Sequence, residues 1–287
     1  MHPTAAGLLG LAATLTALAN MRRQRPTWMR EREMANESGA RERKYYGVNA
    51  CQELWQQRPD DVIRVYIIER RLAEFKDLLK WCATKKKAYH IVSVEELTKV
   101  SQTNHHEGIC ILAKRKEALS FESDVLPELL RTPPPSTLLF LDGVENPHNL
   151  GSIMRVAAHF EVSCIFGGKG KLPALSGAAA RVSAGAAEKV RLAESESPLA
   201  TLRRLKDEGF ALLGTSSHNG TPLFQHTFSP KSVLLIGAEG DGLAPEIERL
   251  ANTMLTIPGT GAIESLNVAT ATAVMLGEQW RQLHANR

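Results

Sequence analysis

With 287 residues, 43% of them hydrophobic and 23% charged, the chain has the composition of an ordinary globular protein with room for two buried cores. A formal charge of +4 excludes a polybasic or acidic tail as the dominant feature. Cys51, Cys82, Cys110 and Cys164 are far apart and form no C-x-x-C pair, which excludes a disulfide framework and a zinc ribbon and points to a reducing, cytoplasmic setting with no metal.

Residues 5–19 are apolar, but no positive charge precedes them, arginines follow them, and the run is too short to cross a bilayer. Met34 opens Met-Ala-Asn-Glu, so residues 1–33 read as a candidate upstream extension of the reading frame. Residues 1–43 are expected as an arm, charged and aperiodic from Arg22 onward. A small α/β/α unit is expected over 44–116: a short helix through Cys51, Leu54 and Trp55, strands at 62–68, 89–92 and 108–113, and helices at 71–84 and 94–100. Pro127 and Pro133-Pro134-Pro135 predict a stiff linker over 117–136.

In the second domain, 137–287, short apolar runs at 137–141, 162–166, 190–192, 210–214, 233–236 and 254–257 alternate with helical stretches at 149–160, 176–187, 199–208, 244–251 and from Ser265 to Trp280. That alternation predicts an α/β fold with a buried, mostly parallel sheet covered on both faces. Ligands on such sheets bind beyond the carboxyl ends of the strands, where three polar, glycine-bearing bends fall. The first carries Asn149, suited to cap a helix, and Arg155 nearly two turns further on. The second, Ile236-Gly-Ala-Glu-Gly-Asp-Gly242, holds Glu239 on a turn freed by three glycines. The third runs from Ile257-Pro258 through Gly259 and Gly261 to Ser265 and Asn267 at a helix start. Each bend alone is also read by a capped helix or a solvated exit loop.

As an ordered set the bends resemble the three motifs of the SpoU (TrmH-type) RNA ribose methyltransferases of the knotted SPOUT class. Asn146-Pro-x-Asn149-x-Gly151-x-x-x-Arg155 is similar to the first, Gly237-Ala-Glu239-Gly240-x-Gly242 to the second, and Ile257-Pro258…Glu264-Ser265-Leu266-Asn267-Val268 to the third. Tyr46-Gly-x-Asn-Ala50 through His106-Glu-Gly-Ile109 resembles the family's small, ribosomal-protein-like substrate-binding domain. Gly259 departs from the bulkier residue usual after the proline, which implies a slightly altered methionine pocket.

The resemblance implies a trefoil knot formed by the threaded C-terminal segment, a homodimer assembled through that domain, and S-adenosyl-L-methionine bound over the knot. It implies cofactor contacts at Gly237, Ile257, Leu266 and Thr215, the first three through backbone groups. It implies 2′-O-methylation of tRNA or rRNA, with Arg155, Asn149, Glu239, Ser265 and Asn267 as catalytic residues. Guanidinium stays protonated in proteins, so Arg155 reads as a fork on ribose and phosphate rather than a base, with Glu239 orienting it or the substrate. Lys85–Lys87, Arg41, Arg43 and Lys114-Arg115-Lys116 are candidates for a phosphate track. A nicotinamide enzyme is disfavoured because Glu264 replaces the third glycine of G-x-G-x-x-G, and a P-loop because Leu172 follows Gly170-Lys171. The remaining rival is a knotted RNA-binding protein without activity.

Overall fold

The structure, a computed structural model, describes residues 42–284. Met34, the apolar run at 5–19, Arg41 and nearly all of the expected arm lie outside the described residues. From Lys44 onward the chain forms one unit, built as two lobes around two sheets.

The small lobe holds β1 (Glu42–Tyr46), α1 (Val48–Gln57), β2 (Val62–Ile67), α2 (Lys76–Thr84), β3 (Ala88–Ile91), α3 (Val94–Ser101) and β4 (Ile109–Lys114). Its sheet has the order β1-β4-β2-β3, with β2 antiparallel to β4 and parallel to β3. α1 buries Ala50, Cys51 and Leu54, a three-to-four-residue spacing that puts one stripe against Val65, Ile67 and Ile111. α3 starts at a capping box, in which Ser93 Oγ accepts from Glu96 N while the Glu96 carboxylate accepts from Ser93 N. The helix expected over 71–84 begins only at Lys76, since Glu69–Arg71 is a separate 3₁₀ turn.

The stretch expected as a linker belongs instead to the large lobe. β5 (Leu119–Ser120) pairs with the large sheet, and Phe121, Val125, Leu126 and Leu129, the last two on α4 (Leu126–Leu129), are buried in its core. The Phe121 ring stacks on Phe166 at 4.1 Å between centroids. Four buried apolar side chains at helical spacing outweigh the prolines: Pro127 sits in the first turn of α4, and Pro133 to Pro135 break the chain only just ahead of β6 (Ser136–Leu141).

From β6 the large lobe continues with α5 (Pro147–His159), β7 (Cys164–Gly168), α6 (Gly177–Val182), α7 (Ala186–Lys189), β8 (Leu192–Ser195), α8 (Pro198–Asp207), β9 (Ala211–Thr215), β10 (Thr221–Pro222), β11 (Lys231–Ile236), α9 (Pro245–Glu248), β12 (Thr253–Thr256) and α10 (Val268–His284). All pairings in the eight-stranded sheet are parallel, in the order β10-β12-β9-β11-β6-β7-β8-β5. Leu138 and Phe140 enter one core and Leu139 and Leu141 the other, so both faces of β6 are dry, as a parallel sheet requires. From β6 the chain runs outward through β7 and β8 and then returns to β9 and β11. The switch point therefore lies between β6 and β11, the usual place for a ligand crevice.

The helix expected over 176–187 is two helices. Ala184 (φ 51°) and Gly185 (φ 92°) turn left-handed between them, and a Cβ on Gly185 would lie 2.4 Å from Glu53 Cγ. This bend receives the small lobe. Arg58 makes a two-pronged bond to Glu188 at 2.9 and 3.1 Å, Lys116 Nζ stands 3.6 Å from the same carboxylate, and Lys189 pairs with Glu53 at 2.8 Å. Among the described residues no helix is long and apolar enough to cross a membrane.

Candidate active site

The three polar bends follow β6, β11 and β12, and all lie at the carboxyl edge of the sheet. Bends one and two are braced together: Asp142 N donates to Ile236 O at 2.8 Å, and Asp142 Oδ2 accepts from Ala244 N at 2.8 Å. Bend two closes on itself through Ala238 and Gly242, which exchange backbone bonds of 2.9 and 3.1 Å and leave Glu239-Gly240-Asp241 at the tip. A Cβ on Gly237 would sit 2.3 Å from the Gly242 carbonyl carbon, so the hairpin tolerates only glycine there.

Asn149, Glu239 and Asn267, one from each bend, form a hydrogen-bonded triangle. Glu239 Oε1 accepts from Asn267 Nδ2 at 2.8 Å, from Asn149 Nδ2 at 3.2 Å and from Val268 N at 3.4 Å. Asn267 Nδ2 also donates to Asn149 Oδ1 at 3.1 Å. Asn267 Oδ1 meanwhile accepts from Ala269 N and Thr270 N and so caps α10. The cap of α5 is Asn146, not Asn149: its side chain accepts from His148 N, with Pro147 in the first helical position. Asn149 is thereby released to point into the triangle.

Arg155 is not part of this cluster within the protomer. Six positions along α5 turn it about 240° from Asn149 and carry it about 9 Å along the axis. It lines a different cavity of about 320 Å³, facing Gly47, Asn49, Glu107 and Arg181. Glu239, expected to orient Arg155 or the substrate, is bonded to the two asparagines and not to Arg155. Ser265 is exposed and has no hydrogen-bond partner among the described residues.

The positions nominated for the cofactor lie on adjacent strands. Thr215 ends β9 and donates to Leu235 O at 3.1 Å, Gly237 follows β11 and Ile257 follows β12. Leu266 is exposed in the loop 258–267, where among the described residues one internal bond forms between the side chain of Thr260 and Ala262 N. Gly259 and Gly261 have open space where a Cβ would stand. The loop thus presents unpaired backbone donors and acceptors beside three strand ends, which fits a nucleoside held through backbone groups.

The phosphate-track candidates divide. Lys116 donates to Ala187 O and Lys87 to Val62 O, so both are engaged within the fold, while Lys85, Lys86 and Arg115 are exposed. Asp142 and Arg181 carried no motif in the sequence, though the strand-end position of Asp142 was a usable signal.

The profile of the SpoU rRNA Methylase family matches residues 136–277, and that of the RNA 2′-O ribose methyltransferase substrate-binding domain matches residues 45–119. The chain is 38% identical over 251 residues to YfiF of Escherichia coli O157:H7, named as an uncharacterized tRNA/rRNA methyltransferase, covering 87% of this chain and 71% of that protein. It is 31% identical over 240 residues to the 23S rRNA (guanosine-2′-O-)-methyltransferase RlmB of Escherichia coli strain K12, covering 83% and 97%. Among solved structures, the SpoU methyltransferase AviRb from Streptomyces viridochromogenes, in complex with AdoMet, superposes with a TM-score of 0.68 at 21% identity over 87% of this chain and 93% of its own. That likeness shows a shared fold.

Proposed function

Since the chain belongs to the SpoU rRNA methylase family, we propose that it transfers a methyl group from S-adenosyl-L-methionine to a ribose 2′-hydroxyl of tRNA or rRNA in the cytoplasm. The observation that carries the reading is the Asn149–Glu239–Asn267 triangle, which ties the three bends into one polar corner at the sheet's carboxyl edge. Residues 136–277 act as the catalytic lobe and residues 45–119 as the substrate-binding lobe.

When bound, the cofactor supplies a sulfonium-activated methyl, so no metal is needed. Backbone groups at Gly237, Ile257 and Leu266, with Thr215 nearby, would hold its nucleoside. The triangle fixes bend three against bend one, and Ser265, beside it on the loop, positions the hydroxyl. Orientation of this kind is worth about 7–11 kcal/mol in favourable cases. Arg155, always cationic, acts as a fork on the ribose and an adjacent phosphate and stabilises the developing alkoxide, while the proton leaves through phosphate or water.

Within one protomer Arg155 lines a separate cavity from the triangle, so a second copy of the chain brings it to the methyl donor, in a homodimer. The test is Arg155→Ala, assayed with labelled cofactor and unmodified RNA. Methyl transfer should vanish while calorimetric cofactor affinity stays within a few-fold. Loss of cofactor binding, or retained transfer, refutes the assignment, and RNA binding by the wild type without any transfer favours an inactive binding protein.

A further inference from the structure

The cavity that Arg155 lines has a second cation and a built-in anion. Arg181, on α6, reaches it from the large lobe, and Glu107 and Asn49 close it from the small lobe. Glu107 Oε1 accepts from Arg181 Nη1 at 3.4 Å, and Glu107 Oε2 accepts from Val48 N at 2.9 Å. Arg155 has no hydrogen-bond or ion-pair partner among the described residues. We propose that this cavity binds an RNA phosphodiester adjoining the target nucleotide, with Arg155 and Arg181 as its two forks and the Glu107 carboxylate as an occupant that the phosphate displaces. The inference rests on the RNA-methylating reading and adds a binding residue, Arg181, and a competitor, Glu107.

The geometry supports exchange rather than a fixed ion pair. At 3.4 Å, with side chains 29% and 40% exposed, the Arg181–Glu107 contact is long and wet, the kind that contributes little. Glu107 sits at φ 56°, a left-handed conformation unfavourable for a side-chain-bearing residue, so the backbone holds a carboxylate beside Arg181 against its own preference. A phosphate has more acceptor oxygens than that single long contact uses, and both guanidinium groups present planar donor forks suited to it. The approach of the lobes is close here: a Cβ on Gly47 would lie 2.7 Å from Arg181 Cγ. RNA seated in the cavity therefore touches both lobes at once.

The test is fluorescence anisotropy with a labelled 12-nucleotide mixed-sequence oligoribonucleotide, titrated between about 50 and 200 mM salt. Arg181→Ala is expected to weaken binding about tenfold and to shallow the salt slope by roughly 0.7, one single-strand phosphate contact. Arg181→Lys should recover part of the affinity, and Glu107→Gln should tighten binding roughly threefold by removing the competing charge. Unfolding curves and calorimetric cofactor affinity report whether each variant is folded. Unchanged affinity and slope in folded Arg181→Ala, or weaker binding in Glu107→Gln, overturns the proposal while leaving the methyl-transfer reading in place. A wild type that binds neither cofactor nor oligonucleotide overturns both.

Discussion

Asn267 has two jobs, and one substitution series separates them. Its Oδ1 caps α10, accepting from Ala269 N at 3.0 Å and Thr270 N at 3.4 Å, while its Nδ2 clasps Glu239 and Asn149. Asn267→Asp keeps the acceptor and adds a charge that the helix start favours by about 0.3–1 kcal/mol. It also sets a carboxylate about 3 Å from that of Glu239, a repulsion of about 1.4 kcal/mol in water; both groups are exposed, so the low-dielectric figure does not apply. Asn267→Ala loses the cap, about 1 kcal/mol, but introduces no repulsion. The two variants should therefore unfold within about 1 kcal/mol of each other. Both should lose activity: with the clasp in control, Asp transfers methyl at least tenfold more slowly than wild type and no faster than Ala. Single-turnover transfer of labelled methyl to unmodified RNA, beside thermal unfolding, measures both. If Asp is clearly more active than Ala, the residue matters as a helix cap and the triangle is not the catalytic corner.

Glu188→Ala removes the two-pronged partner of Arg58 (14% exposed) and the carboxylate beside Lys116, leaving Arg58 to Asp61 and Lys114 O and Lys116 to Ala187 O. At about 2 kcal/mol for the lost charged hydrogen bonds, and about 2–4 °C per kcal/mol for a chain of this size, Tm should fall by roughly 4–8 °C; a drop under about 2 °C would show that the lobes do not depend on this pair. Mixing equal amounts of Arg155→Ala and Glu239→Ala protein should restore about a quarter of wild-type transfer, since half the dimers are mixed and each has one complete composite site; no recovery after subunit exchange refutes a shared site. His106 Nδ1 accepts from Gly108 N at 3.0 Å, and burial, helped by Arg70, holds its pKa below the ordinary value. The unfolded chain then protonates first, so stability should decline as pH falls below about 6.5 and level off once the folded imidazole also titrates; urea midpoints for wild type and His106→Asn over that range check it, and parallel curves would refute it. Gly237→Ala must displace the Gly242 backbone, so calorimetric cofactor affinity should drop at least tenfold; unchanged affinity would remove the hairpin from the pocket.

Features set by neighbouring residues were legible in the sequence, and features set by distant packing were not. Alternating apolar runs located six of the eight strands of the parallel sheet to within three residues, the two-residue strands β5 and β10 being too short to leave such a run, and glycine with Asn or Glu after a run marked all three bends. Proline also misled: Pro127 and Pro133 to Pro135 suggested a connector, whereas Phe121 and Leu129 find a core supplied by β7 and β8. The break at Gly185 was hidden because alanines on both sides favour helix, and the reason for it, Glu53 on another lobe, is more than a hundred positions away. The choice of Asn146 over Asn149 as the cap turned on Pro147, which takes the first helical position and leaves Asn149 free for the site.

The corner that results is unequal in its rigidity. Asn149, Glu239 and Asn267 are each held by at least two bonds, and Asp142 braces the strand ends beneath them. The loop between Pro258 and Leu266 has one internal bond, and it exposes Ile263 (81%) and Leu266 (48%) to solvent. Large apolar side chains left in water on an under-bonded, glycine-bearing loop mark a surface that something else covers. Were cofactor and RNA both to rest on that loop, the first to bind would meet the ordering cost, on the order of 1 kcal/mol per residue fixed, and the second would bind more tightly. The polar triangle is thus the fixed part of the corner, and the loop the part with bonds still to make.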